Sequence, residues 1–531
     1  MATMQPPRNR RDGWLGALGV LAVVAISAWY RTPGFEQGGF ASHDVAGILY
    51  NAMLLHDGGL PYVDSVELKA PGSFWLAKWL AGPEGRDIAR FQIWANAAGL
   101  ASVVAVAAVA WRAFGARAAV VAAAVYALHD AHLDSMDANY VTWAQLPSII
   151  AVGWGLAAIR AQPAAARVGW VLAGVAAGLA MLLKRPAIAI ALWCGLMALW
   201  RGGSTLRARH SCAACVVAGV LLAHLPIVVR YAVAGHLATL LSAYGLSEWG
   251  LAYVGGGGRS DGTPVAVDGA WATVHVLALA AALAAAAWRA PAEDPDRDLV
   301  GPIWAWVGLV LAFAAVGARF YKGYFLAVAP ALAVAAAVPW GPLGGRAAAR
   351  LGARLVLLVP ALVLLGRQVV ILHKHRAQRG MVHDAGGRAI ARHVTAHSQP
   401  GDRIWVWGWH LWDVYPLTGL RSGSTIYKSM GVLTRGNDDT WRLPASRARF
   451  VDGPYAQRLV DELEHSRPVW IVLGSTVPRG EFRSLTALLR REYRLDSRVR
   501  LGRVQFWWRA DRARAYFDPG GGAKASSSSG S

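Results

Sequence analysis

The stretch GGFASHDVAGILYNAMLLHDGGLPYVDSVELKAPG, residues 38–72, comes just after WLGALGVLAVVAISAWY, residues 14–30, an uncharged apolar run long enough to cross a bilayer as a helix. The later stretch carries His43, Asp44, Asp57, Asp64, Glu67 and Lys69 together with a Pro-Tyr and a Pro-Gly pair. Ionisable groups gathered at the end of a span mark a functional surface, because each costs free energy wherever water is scarce. MATMQPPRNRRDG, residues 1–13, is basic, and no small-x-small cleavage site follows the apolar run. Residues 1–13 therefore read as a cytoplasmic N-terminus and 14–30 as a retained anchor.

The composition agrees with that beginning. The 531 residues are 55% hydrophobic and 16% charged, with 25 tryptophans, outside the range of soluble globular domains. A net charge of +21 would suggest nucleic acid in a soluble protein, but here the basic residues fall in short clusters between apolar runs. They read as topology signals and contacts to anionic membrane lipid, with no nucleic acid as partner. Three cysteines cannot build a disulfide framework, and Cys212 and Cys215 read as small residues packing a helix.

Further apolar runs lie near 91–111, 141–159, 213–229, 270–288, 300–316 and 355–372, with shorter ones near 117–128, 168–183, 187–200 and 324–339. Together they predict about eleven transmembrane helices within residues 14–372. Alternating sides from an inner N-terminus puts RNRR, WRAFGAR, RAQPAAAR, WRGGSTLRARH, WRAPAEDPDR and GGRAAARLGAR inside, and every one holds at least two arginines. The loop 31–90, HDAHLDSMDANY at 129–140, residues 230–269 and the chain past 372 then face outward, which in a bacterium is the periplasm.

After HKHRAQRG the character changes. Residues 373–515 mix strand-like DRIWVWGW and RPVWIVLGS with helix-like DAGGRAIARHVTAH and YAQRLVDELEHS, and end in a hairpin-like YRLDSRVRLGRVQFWWR. This predicts a compact α/β domain on the periplasmic side, and residues 516–531 read as a disordered tail. No GxGxxG follows its first strand, and the GGGG at 255–258 lacks the Lys-Ser/Thr of a phosphate loop, so nucleotide binding has no support.

Two roles are open to Asp44: general base for an acceptor hydroxyl, or cap of the helix that VAGILYNAMLL predicts. Lys69, in a loop stiffened by Pro61 and Pro71 and shared with Asp64 and Glu67, is the natural counter-ion for a phosphate at the bilayer surface, or else the partner of Glu67 in a solvated ion pair. In HDAHLDSMDANY, Asp130, Asp134 and Asp137 lie near membrane depth and, with His129 and His132, could bind a divalent cation. Lys184, Arg185, Arg319 and Lys322 are cations on the poorly favoured outer side, which suggests a phosphate pocket or simple snorkelling.

An acid after the first span, then G-x-P-Y-x-D at 59–64 and K-x-P-G at 69–72, resembles the GT-C class of membrane glycosyltransferases. The likeness is to bacterial relatives of the dolichyl-phosphate-mannose protein mannosyltransferases and to the aminoarabinose lipid A transferase. GVAAGLAMLLKRPAIAI at 174–190 and ARFYKGYFLAVAPALAVAAA at 318–337, with Tyr324, are similar to later spans of that class. The resemblance implies a GT-C-like transmembrane domain with a periplasmic α/β domain, Asp44 as catalytic base, and Lys69 on the phosphate of a polyprenyl-phosphate sugar. It also implies a second acidic site at Asp134 or Asp137, with a divalent cation possible. The acceptor would be a periplasmic glycan, lipid or protein. The chain departs from the family in having His43 and Val45 around Asp44 where a second carboxylate often follows, and KGY where HY is usual.

Two rival readings remain. A transporter or flippase for an anionic or lipid-linked substrate expects mid-span charges and a repeat between halves, neither of which is visible. A scaffold whose tail binds cell-wall components gives no reason for Asp44, Lys69 and Arg319 to meet.

Overall fold

The computed structural model describes residues 10–36, 38–40, 42–133, 135–244, 297–315, 322–340, 366, 369, 370, 372, 373, 384–408, 411–429, 432–434, 450–474 and 481–517, with backbone alone at 10, 11, 131, 132, 297, 322, 339 and 514–517. Among these, six helices are long and apolar enough to cross a membrane: Asp12–Tyr30, Ile88–Phe114, Tyr140–Ile159, Pro163–Leu183, Leu206–Val233 and Asp298–Ala315. The run near 168–183 is longer than its apolar core suggests, because Pro163 at the first helical position starts the helix inside RAQPAAAR. The runs near 117–128, 187–200 and 324–339 form the shorter helices Ala116–His132, Ile188–Arg201, and Lys322–Leu326 with Ala329–Ala337. The run near 270–288 and almost all of that near 355–372 lie outside the described residues.

Small residues let two of the long helices touch backbone to backbone. A β-carbon at Gly174 would meet the Val216 carbonyl oxygen at 2.2 Å, and one at Gly219 the Val171 carbonyl oxygen at 2.2 Å. On the same Leu206–Val233 helix, Val217, Leu221, Leu222 and Val229 stay exposed, a face suited to acyl chains and not to water.

Between the membrane helices and the C-terminal domain lies helix His43–His56, with Val45 through Leu55 all buried. It starts where it does because Ser42 is extended and its hydroxyl accepts the Asp44 amide hydrogen at 3.2 Å. Ser42, and not Asp44, is the cap. Asp44 stands in the first turn, where the helix macrodipole favours a negative charge.

The C-terminal domain is a five-stranded mixed sheet in the order β2-β1-β3-β5-β4, with β1 Arg403–Trp407, β2 Arg421–Ser422, β3 Trp470–Leu473, β4 Tyr493–Leu495 and β5 Gln505–Arg509. β1 pairs in parallel with β2 and β3, whereas β5 runs antiparallel to β3 and β4. Alternate residues face opposite sides: Trp405 and Trp407 pack with Leu459, Leu463 and Leu489, while Ile404, Val406 and Trp470 pack with Ile390, Val394 and Val414. Helices Ala385–Ala396, Pro454–Ser466 and Arg483–Glu492 supply those partners or flank them.

This domain docks on the 38–72 stretch. Tyr50 stacks on Tyr427 with ring centroids 4.3 Å apart, and its hydroxyl accepts the Ser422 amide hydrogen at 3.2 Å. The Val66 amide donates to the Thr425 carbonyl at 2.7 Å, Arg421 pairs with Asp57 at 2.6 Å, and the Phe40 amide donates to Asp384 at 3.0 Å.

Candidate active site

Lys69 is aimed by its own loop. Tyr62 adopts a left-handed backbone, φ 68°, an uncommon conformation for a bulky residue, and its hydroxyl donates to the Lys69 carbonyl at 2.5 Å. The neighbouring Pro61 carbonyl accepts from Tyr231 at 2.7 Å. Glu67 then accepts both the Leu68 and Lys69 amide hydrogens on one carboxylate oxygen, at 2.8 and 3.2 Å. The side chain that leaves this clamp reaches Asp44: Lys69 Nζ lies 3.0 Å from Asp44 Oδ1.

Tyr140, the first residue of a membrane helix, closes the group. Its hydroxyl accepts from Lys69 Nζ at 2.6 Å and donates to Asp44 Oδ2 at 2.9 Å, so a carboxylate, an ammonium and a phenol form a triangle. The Asp44 and Lys69 side chains remain 35% and 28% exposed, enough for a ligand to reach them. Burial raises the cost of charge on Asp44, but Lys69 and then Lys428, with hydrogen bonds from Lys69 and Tyr140, more than offset it and hold the carboxyl at about 2.

A second ammonium stands alongside. Lys184 follows directly on helix Pro163–Leu183, is 8% exposed, and lies over the Tyr140 and Tyr324 rings at 5.9 and 4.9 Å. Burial and the nearby Lys69 lower its pKa to about 7, against the pull of Asp44. A cation held by aromatic faces and repelled by another lysine is ready to meet an anion.

The other expected residues separate into groups. Glu67 pairs with Lys428 of the C-terminal domain, not with Lys69, and both partners are buried. That corrects the solvated Glu67–Lys69 pair, because Lys69 is engaged by Asp44 and Tyr140. Asp64 accepts the Leu60 amide hydrogen at 2.6 Å and closes a turn. Arg185 donates to the Ala243 carbonyl and stacks over Tyr244 at 5.6 Å, which ties helix Leu237–Tyr244 down. His43 is half-buried beside Asp44. Asp137 is buried, within 3.5 Å of the Gln92 amide nitrogen. Asp134 and Arg319 lie outside the described residues, as do the side chains of His132 and Lys322.

Among the described residues, no group of three or more His, Cys, Asp or Glu side chains is placed to hold a metal ion. Asp130 is fully buried against Arg31, which also donates to Asn96 at 3.2 Å and Ser135 at 2.7 Å, and His129 donates to the Val125 carbonyl at 2.7 Å. Asp130 is thus occupied in tying the end of helix Ala116–His132 to Arg31, while His129 bonds within that same helix.

Sequence reading misses Tyr140, Asn51 and Lys428. Tyr140 ends the acidic loop, and Asn51 follows Asp44 at helical spacing on one face, so both carry a local signal. Lys428, a single lysine in an apolar IYKSM, carries none.

No protein-family model matches the chain, and no curated protein matches it in sequence. Solved structures do share its fold. ArnT from Cupriavidus metallidurans bound to undecaprenyl phosphate is 16% identical with a TM-score of 0.59, over 94% of this chain and 99% of that one. The archaeal oligosaccharyltransferase AglB from Archaeoglobus fulgidus, in complex with an inhibitory peptide and a dolichol-phosphate, is 12% identical with a TM-score of 0.52, over 90% and 72%. The Archaeoglobus fulgidus oligosaccharyltransferase in complex with Zn and sulfate is 14% identical with a TM-score of 0.50, over 88% and 69%. The likeness establishes the fold: a multi-pass helical membrane protein with a C-terminal strand-containing domain.

Proposed function

We propose that this chain is a membrane glycosyltransferase that moves a sugar from a polyprenyl-phosphate donor, undecaprenyl-linked in a bacterial inner membrane, to a periplasmic glycan, lipid or protein. The observation that carries this reading is the Asp44–Lys69–Tyr140 triangle with the Lys184 ammonium beside it. It offers a proton acceptor and two cations at one partly open place, as transfer from a phosphate leaving group requires. The shared fold with ArnT bound to undecaprenyl phosphate supports the donor class. In this reading the membrane domain covers residues 14–372 with about eleven crossings, the N-terminus is cytoplasmic, and the domain over 373–515 is periplasmic.

The reaction is a single inverting displacement. The acceptor hydroxyl gives its proton to Asp44, its oxygen attacks the anomeric carbon, and the bond from that carbon to the phosphate oxygen breaks with its electron pair on the phosphate. Lys69 and Lys184 neutralise the charge that gathers there. Without donor, Asp44 is a weak base because Lys69 is on it. A donor phosphate that draws Lys69 toward itself raises the basicity of Asp44, so proton acceptance follows donor binding.

Membranes containing the protein, given a panel of labelled polyprenyl-phosphate sugars, should transfer label to an endogenous acceptor. Absence of transfer across the panel, with no binding of undecaprenyl phosphate by the purified protein, would reject the reading.

A further inference from the structure

Lys428 has no part in the displacement described above, yet its ammonium lies inside the site. It arrives from the C-terminal domain and occupies the space left by the missing side chain of Gly47, where a β-carbon would meet Lys428 Cε and Nζ at 2.8 Å. Gly47 stands one helical turn from Asp44 on the same face of His43–His56. Lys428 pairs with Glu67, the two side chains being 9% and 2% exposed, and its ammonium lies over the Trp412 ring at 5.2 Å.

Glu67 is held from two sides. Its Oε2 accepts from Lys428, from the Tyr427 hydroxyl, and from Asn51 Nδ2 at 3.4 Å. Its Oε1 accepts the amide hydrogens of Leu68 and Lys69, which sets the direction in which the Lys69 side chain begins. A buried carboxylate that loses its cation is strongly destabilised and takes the nearest replacement. The replacement here is Lys69, whose charge already acts on Glu67.

We propose that Lys428 is a positioning residue that keeps Lys69 on Asp44: by neutralising Glu67, it stops that carboxylate from taking the Lys69 ammonium for itself. Docking of the C-terminal domain thereby completes the pair formed by two residues of the first loop. The catalytic meaning of this arrangement rests on the reading of Asp44 as base, whereas the arrangement itself is tested without turnover.

Full-length protein in lipid nanodiscs is treated with a water-soluble carbodiimide and glycinamide at about pH 6, where carboxylates react. Modification of Asp44 is then quantified by peptide mass spectrometry, with the exposed Asp57 and Asp64 as controls. In Lys428→Met, Lys69 moves to Glu67 and Asp44 labelling rises severalfold while the controls stay constant. In Lys428→Met/Glu67→Gln there is no competing carboxylate, and Asp44 labelling returns to the wild-type level. General loosening of the fold would raise all three sites and would not be reversed by the second substitution. Should Lys428→Met fail to fold, Lys428→Gln carries the same expectation. Unchanged Asp44 labelling in the single variant, or equal labelling in single and double, overturns the proposal. Undecaprenyl phosphate binding by the wild type in the same discs is scored separately, so a failure of the transfer reading is distinguishable from a failure of this one.

Discussion

Tyr140 donates its hydroxyl hydrogen to Asp44 at 2.9 Å, from the first residue of a membrane helix to the first turn of a helix outside it. The bond fixes one carboxylate oxygen, while Lys69 fixes the other. Tyr140→Phe keeps the ring under both lysines and removes only the hydroxyl. A hydrogen bond to a charged group is worth about 1.5–3 kcal/mol, so transfer should fall roughly 10- to 100-fold. The thermal midpoint should change little, and steady-state transfer rates check the outcome.

Asp44→Asn removes the proposed proton acceptor and retains shape. Loss of general base catalysis lowers the rate by about 10²- to 10⁴-fold. The folded fraction should match wild type, because Ser42 supplies the helix cap and is unchanged. A fully active variant would reject Asp44 as the base.

Lys184 gives the site a pH dependence of definite sign. Its pKa is lowered to about 7 by burial and by Lys69, so its charge is present below that value and lost above it. Affinity for undecaprenyl phosphate should therefore fall as pH rises through about 7 to 8, with the bound phosphate moving the midpoint upward. Lys184→Arg, charged throughout, should flatten this dependence. Binding titrations across pH measure it.

Asp413 provides the opposite titration in the C-terminal domain. Burial first, and then the nearby Asp384, raise its pKa to about 8. The folded protein thus holds a proton that the unfolded chain releases above the usual carboxylate range, and stability falls as pH rises toward about 8. Asp413→Asn should remove that slope, gaining on wild type by up to about 1.4 kcal/mol per pH unit across the window. Thermal midpoints of both proteins across pH decide it.

Gly174→Val should separate helices Pro163–Leu183 and Leu206–Val233, since even a β-carbon there meets a carbonyl at 2.2 Å. A large drop in folded yield is expected. Gly195→Ala is the control: a β-carbon at Gly195 meets nothing within 4 Å. Size-exclusion profiles of the two variants in detergent distinguish them.

Legibility in the sequence follows the range of the interactions. Helix His43–His56 and its flanking prolines are written in neighbouring residues, and the strands around Trp405 and Trp470 show as β-branched and aromatic runs. The two-residue β2 is too short to leave a pattern, and its place at the sheet edge depends on pairing with β1. Asp130 reads as a loop carboxylate because nothing near it in sequence reveals that Arg31 is folded against it. Glu67 reads as the partner of Lys69 by proximity along the chain. The true partner, Lys428, becomes visible only when the C-terminal domain is packed on the first loop.

The stacking of Tyr50 on Tyr427 makes the two parts of the molecule mutually dependent for solubility. A chain ending before Ala385 would leave Tyr50, Asn51 and Leu54, on a helix buried from Val45 through Leu55, facing water, and Glu67 in the loop that follows deprived of its cation. Expressed alone, the membrane portion should therefore aggregate or be degraded, and the soluble portion should carry a sticky aromatic patch where the loop once lay.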